Sequence, residues 1–161
     1  MTSLIERLWY GKGRPLLILS PFSWIYRAVS EKTPEGLTRA VMLTFMGTRY
    51  DKWPKGMQKE LQKFFSQIKY KSTDEWKEQI VYLNLEPGKK VSAKLPDGTS
   101  VTLEPSNDAR QAFVDWLVSP DNPWFAKAIV NRISFQLMGR GLIHEVDDIR
   151  PDNPAWSPEL L

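Results

Sequence analysis

The run Val91-Ser92-Ala93-Lys94-Leu95, Pro96-Asp97-Gly98, Thr99-Ser100-Val101-Thr102-Leu103 decides the fold class. Two short alternating segments flank a Pro-Asp-Gly cluster, whose residues favour a chain reversal. The pattern predicts an antiparallel hairpin. A lone hairpin is marginal in water, so this one needs helices behind it or a third strand from Ile80 to Leu85. On either side the hydrophobic period changes from 2 to 3.6. The expectation is an α+β fold, mainly helical, with a small antiparallel hairpin or a three-stranded sheet.

Four helices are predicted around the hairpin. The first covers 33–46, with Thr33 as N-cap, Pro34 at the first helical position and Gly47 closing it. Leu37, Ala40, Val41, Thr44 and Phe45 form its apolar face. The second covers 56–69, with Met57, Leu61, Phe64, Phe65 and Ile68 on one side and Lys55, Lys59 and Lys63 opposite. The third covers 108–118, capped by Ser106 or Asn107, with Ala112, Phe113, Trp116 and Leu117 as its buried face. Asn122 caps the fourth, Pro123 starts it, and Gly139 ends it. Phe125, Ile129, Ile133 and Leu137 run along that helix as an apolar stripe. Asp74 to Glu78 reads as a short helix or turn, and the tail from Arg140 onward as irregular chain.

The 161 residues, 42% hydrophobic and 25% charged, suit one soluble domain with an appendage. The division falls at residue 30: an amphipathic and apolar segment over 1–30, then a single small α+β domain over 31–161. Leu4, Ile5, Leu8 and Trp9 recur at helical spacing, and Leu16 to Tyr26 is apolar but broken by Ser20, Pro21 and Ser23. That run is shorter than the roughly 20 apolar residues of a spanning helix. Three readings stand for the segment: an interfacial anchor, a core-packing helix or a signal peptide. As an anchor it would place Trp9, Tyr10, Trp24 and Tyr26 at headgroup level beside Lys12, Arg14 and Arg27. If residues 1–30 act as anchor or signal, the location is membrane-peripheral or extracytoplasmic; the sequence alone leaves it unknown.

The net charge of +3 is unevenly distributed. Residues 1–80 carry 14 Lys/Arg and 8 Asp/Glu, a net +6; residues 81–161 carry 8 and 11, a net −3. A basic front half is compatible with an anionic membrane surface, and a solvated charged helix face is the commoner reading. A protein partner is the other expectation. Nucleic acid is not expected, because no basic stripe with interleaved aromatics occurs.

Candidates for chemistry are few. With no cysteine, disulfides, thiolate zinc sites and Cys nucleophiles are excluded. There is no Gly-rich phosphate loop and no nucleophile elbow. The densest group of ligand types is His144-Glu145-Val146-Asp147-Asp148, which contains the sole histidine. His144, Glu145, Asp147 and Asp148 are candidate divalent-metal ligands, although their spacing matches no known metal signature. The competing reading is a turn whose carboxylates pair with Arg140 or Arg150. No cofactor is expected.

Two resemblances add to this. Arg110 to Leu117, Ser119 to Ala126, Val130-Asn131-Arg132, Gly139 to Leu142 and Asp147 to Pro154 resemble large planctomycete-type surface proteins of unknown function, which often carry cytochrome-like domains. Pro34 to Arg39, Phe45-Met46-Gly47, Tyr50 to Trp53 and Phe64-Phe65 resemble the preceding module of the same proteins. In that family a Cys-x-x-Cys-His-type stretch precedes the Asp-Lys-Trp-like segment; here Gly47-Thr48-Arg49 runs straight into Tyr50. The family's last module also extends further than Leu161. Residues 3–30 resemble the amino-terminal membrane segment of tetraacyldisaccharide 4'-kinase, through Ile5 to Gly11, Pro15-Leu16-Leu17 and Leu19 to Tyr26. That resemblance implies membrane association and an alternative reading as a kinase-related fragment without its phosphate loop. Together the resemblances suggest a fusion, a truncation or an artificial sequence. The expected function is a non-enzymatic interaction or structural module, peripheral to a membrane, with a divalent-metal-binding module as a further alternative.

Overall fold

The computed structural model describes residues 31–72, 79–85, 88–150 and 152–160. The anchor candidates Trp9, Tyr10, Lys12, Arg14, Trp24, Tyr26 and Arg27 lie outside them, as does the turn expected at 74–78. The described chain is α+β and mainly helical. Its order is helix α1 (Pro34–Val41), a π-helical stretch (Met42–Met46), a 3-10 turn (Tyr50–Lys52), helix α2 (Lys55–Phe65), strands β1 (Ile68–Ser72) and β2 (Gln79–Leu83), strands β3 (Val91–Lys94) and β4 (Ser100–Leu103), helix α3 (Ala109–Leu117), helix α4 (Pro123–Met138) and a 3-10 turn (Pro158–Leu160).

The helix ends follow side-chain chemistry. Thr33 accepts a hydrogen bond from the Gly36 amide at 3.0 Å, and Asn122 accepts from the Trp124 and Phe125 amides at 3.0 and 3.2 Å. Each satisfies helix-start amides that have no intrahelical partner. Gly47 (φ 60°) and Gly139 (φ 74°) take the left-handed conformation that ends the first and last helical stretches. The cap of α3 is Asp108, not Ser106 or Asn107. Its carboxylate accepts from the Arg110 amide at 3.0 Å and also grips the buried Arg110 guanidinium at 2.6–3.1 Å. A charged cap that neutralises a buried arginine outcompetes its neutral neighbours.

The hairpin forms as expected, with Val91 opposite Leu103 and Lys94 opposite Ser100. It does not recruit a third strand. Gln79–Leu83 pairs instead with Ile68–Ser72, in a separate two-stranded antiparallel sheet. The second helix accordingly stops at Phe65, and Ile68 belongs to β1 rather than to a helical face.

The core joins these pieces through aromatic rings. Phe113 of α3 stacks against Phe64 and Phe65 of α2 and against Trp116, with centroids 5.5–5.8 Å apart. Trp116 continues to Trp124 of α4, and Trp124 to Trp53. The hairpin buries Ala93, Leu95 and Leu103 in the same cluster. Polar ties fix its position: Glu60 accepts from the Lys94 amide, Lys63 donates to the Ser92 carbonyl, and Trp116 donates to Asp97.

Two of these ties are acid-sensitive. The Lys63 hydrogen bond holds Glu60 below the usual carboxylate range. Burial pushes Asp97 up, but hydrogen bonds from Thr99 and Trp116 outweigh it and leave Asp97 lowered. A lowered carboxylate stabilises the fold above its unfolded pKa and loses that contribution as pH falls through its folded value. Glu60→Gln is therefore expected to reduce the urea midpoint at pH 7, with the difference from wild type shrinking below about pH 4. A difference unchanged down to pH 3 would show that the contribution of Glu60 does not depend on its charge.

Candidate functional site

Helix α4 reverses the face that its sequence advertises. Phe125 packs on the core, but Ile129 is exposed, and so are Ile133 (50%) and Leu137 (80%). The positions turned inward are Ala128, Asn131 and Ser134. Small and polar groups sit there because the backbone comes close. A Cβ on Gly47 would lie 3.3 Å from the Ala128 Cβ, and one on Gly141 would lie 2.6 Å from Asn131 Oδ1. Larger apolar side chains would hold the chain off.

The irregular segment 139–156 folds back onto this inward face. Asn131 is wholly buried and is its anchor. Its Oδ1 accepts from the Ile143 amide at 2.8 Å, and its Nδ2 donates to the Val146 carbonyl at 3.1 Å. The next residue, Arg132, donates to Asp147 at 2.6 and 3.0 Å and to the carbonyls of Leu43 and Thr44. These carbonyls belong to the π-helical stretch, whose ladder leaves them free to accept. The Ile149 amide donates to the Gly47 carbonyl at 2.8 Å. Ala128, Ile143 and Ile149 close a second small apolar cluster beneath these bonds.

The acidic group that stood out in the sequence is spread over three arginines. Glu145 pairs with Arg49 at 2.6 Å, Asp147 with Arg132, and the buried Asp148 with Arg150 at 2.9 Å. Asp148 Oδ1 makes no hydrogen bond among the described residues. His144 is exposed. Among the described residues, no group of three or more His, Cys, Asp or Glu side chains is arranged to hold a metal ion. Pairing with Arg150 matches the ion-pair reading of the cluster. Arg140 does not take part, and its guanidinium lies 4.4 Å from the ring centroid of the exposed Trp156.

The sequence reading passed over Asn131 and Arg132 as functional positions. A signal for them exists: two polar residues stand between Val130 and Ile133 in a helix that is otherwise mostly apolar. Elsewhere, a groove of about 620 Å³ lies between β2, β4 and α3, rimmed by Glu104, Asp108 and Asp115. It lies apart from the 139–156 segment, and Asp108 is already committed to Arg110. No helix among the described residues is long and apolar enough to cross a membrane.

A family model described as PSD1, a protein of unknown function (DUF1553), matches residues 109–161. The match takes in α3, α4 and the segment folded on it, so it coincides with the site just described. No curated protein and no solved structure matches the chain.

Proposed function

We propose that the chain is a non-enzymatic interaction module of the kind found in the large planctomycete-type surface proteins that its carboxy-terminal part resembles. Its working surface is the outward face of α4. The observation that carries this reading is the reversal of α4. Among the described residues, four exposed large hydrophobics, Ile129, Val130, Ile133 and Leu137, share one side of this helix. A contiguous exposed apolar face is the usual mark of a contact surface. The residues best equipped for chemistry serve the opposite face. Asp147 with Arg132, and Asn131 with the Val146 carbonyl, hold the tail against the helix; Glu145 ties the tail to Arg49, and Asp148 pairs with Arg150 within it.

A divalent-cation titration tests the role given to these carboxylates. A site with Kd near about 10 µM would stabilise the fold by roughly 2.7 kcal/mol at about 1 mM metal. The interaction reading expects no change in melting temperature with magnesium, manganese or zinc, for wild type or His144→Ala. A shift seen in wild type and lost in His144→Ala would overturn it in favour of a metal site.

A further inference from the structure

We propose that the lysine-rich face formed by α2 and the two sheets binds single-stranded nucleic acid, at a surface other than the outward face of α4. Residues 52–94 carry ten lysines and five acids, a net +5 in a chain whose total is +3. The fold gathers these lysines. Lys55, Lys59 and Lys63 share one side of α2 at four-residue spacing. Lys63 donates to the Ser92 carbonyl of β3, so the stripe runs into the hairpin. A groove of about 290 Å³ opens there, with Lys63, Ser66, Lys69, Asn84 and Lys89 on its walls. The acids beside these lysines are already paired: Glu104 with Lys90 at 2.6 Å and Glu60 with Lys63 at 2.7 Å. Lys55, Lys59, Lys69, Lys71 and Lys89 make no ion pair among the described residues. The other acids of the stretch, Asp74, Glu75, Glu78 and Glu86, lie outside the described residues and are already counted in the net +5.

Spacing and an aromatic neighbour select the occupant. Along α2 the lysines step about 6 Å, four residues at 1.5 Å each. Along β1, Lys69 and Lys71 share a face and step about 7 Å. Both steps suit successive phosphates of an extended strand, a linear order that a bilayer surface does not offer. Tyr82 stands directly opposite Lys69 in the β1–β2 ladder, so the two side chains share the outer face of that sheet, and Tyr82 is 37% exposed. A positively charged groove beside an exposed aromatic ring is the combination that holds single strands: the lysines track the phosphates while the ring stacks a base. No arginine occurs from 52 to 94, so the cations are point charges rather than bidentate forks, which suits binding without sequence preference. The members come from α2, β1, β2 and the loop at Lys89, so no single stretch of sequence shows a basic stripe with its aromatic.

The test is fluorescence anisotropy of a labelled oligothymidylate of about 12 nucleotides, within the range of known single-strand sites, titrated with the full chain at several salt concentrations. Neutralising about four phosphates gives log K against log salt a slope of about −3, and so a roughly fiftyfold loss of affinity between about 50 and about 200 mM salt. Lys69→Gln/Lys89→Gln is expected to weaken binding at least about tenfold at the lower salt and to make the slope shallower by about 1.4. Lys127→Gln/Arg140→Gln removes the same charge from the α4 region and is expected to leave affinity within about threefold and the slope unchanged. Tyr82→Leu is expected to weaken binding at least about fivefold with the slope unchanged, because stacking releases no counterions. Lys69 and Lys89 are exposed, so an unchanged melt verifies folding of the groove variant; Lys59→Gln/Lys89→Gln is the substitute if that melt shifts. Absence of wild-type binding at the lower salt overturns the inference. Undiminished binding by the groove variant also overturns it and assigns binding to the basic residues of 1–30. Equal affinity for dextran sulfate with indifference to Tyr82→Leu overturns it in favour of an unselective polyanion surface. Flotation with phosphatidylglycerol vesicles, lost in the groove variant and unaccompanied by oligonucleotide binding, overturns it in favour of a bilayer.

Discussion

Asn131→Ala is expected to destabilise the protein by about 2–5 kcal/mol, measured as a fall in the urea midpoint. The Asn131 side chain satisfies one backbone amide and one backbone carbonyl of the folded-back segment, at Ile143 and Val146. Alanine supplies neither partner. A buried donor or acceptor left unpaired costs about 1–3 kcal/mol; the Ile143 amide is left so, and the half-buried Val146 loses its carbonyl's partner as well. The space vacated by the amide adds to the loss. Ile143 is buried, so solvent does not replace the lost partner of its amide. The damage has a predicted location. Amide hydrogens of 141–149 should exchange faster than those of α2, which belongs to the aromatic core. A change in stability below about 0.5 kcal/mol, the range of ordinary surface substitutions, would show that Asn131 does not anchor the segment.

Much of the fold was legible because local chemistry and global packing agree. Thr33, Pro34 and Gly47 mark the first helical stretch, and Asn122, Pro123 and Gly139 mark the last. Pro96-Asp97-Gly98 sits at the hairpin turn, where Gly98 adopts φ 90°. The errors arise where two periods overlap. Ile68 continues the helical spacing of Leu61, Phe64 and Phe65, yet Ile68-Lys69-Tyr70-Lys71 also alternates, and pairing with Gln79–Leu83 decides between them. The cap of α3 was misplaced by one or two residues because the deciding factor, the need of a buried Arg110 for a carboxylate, is tertiary.

The candidate site was legible in outline. The cluster at 144–148 was visible, and its pairing with Arg150 was one of the readings it allowed. The pairing of Asp147 with Arg132 and of Glu145 with Arg49 joins residues 15 and 96 positions apart, and no local pattern encodes such contacts. The orientation of α4 was hidden for a similar reason. Its apolar stripe at 129, 133 and 137 obeys the usual helical signature of a core face. The competing signal is the small and polar series Ala128, Asn131 and Ser134. Close approach to Gly47 and hydrogen bonds to the tail give that series the inner side.

The chain's lack of cysteine makes the orientation of α4 directly measurable. Single substitutions Ile133→Cys and Ser134→Cys place a thiol on adjacent residues, the first exposed and the second buried. Labelling by a maleimide reagent under native conditions follows the accessibility of each thiol. The predicted result is reaction of Ile133→Cys close to the rate in denaturant, and of Ser134→Cys roughly a hundredfold or more slower, limited by opening of the folded segment. Protection of Ile133→Cys that only denaturant releases would mean that the apolar face of α4 is covered in the native protein. That result would contradict the assignment of α4 as the outward working surface.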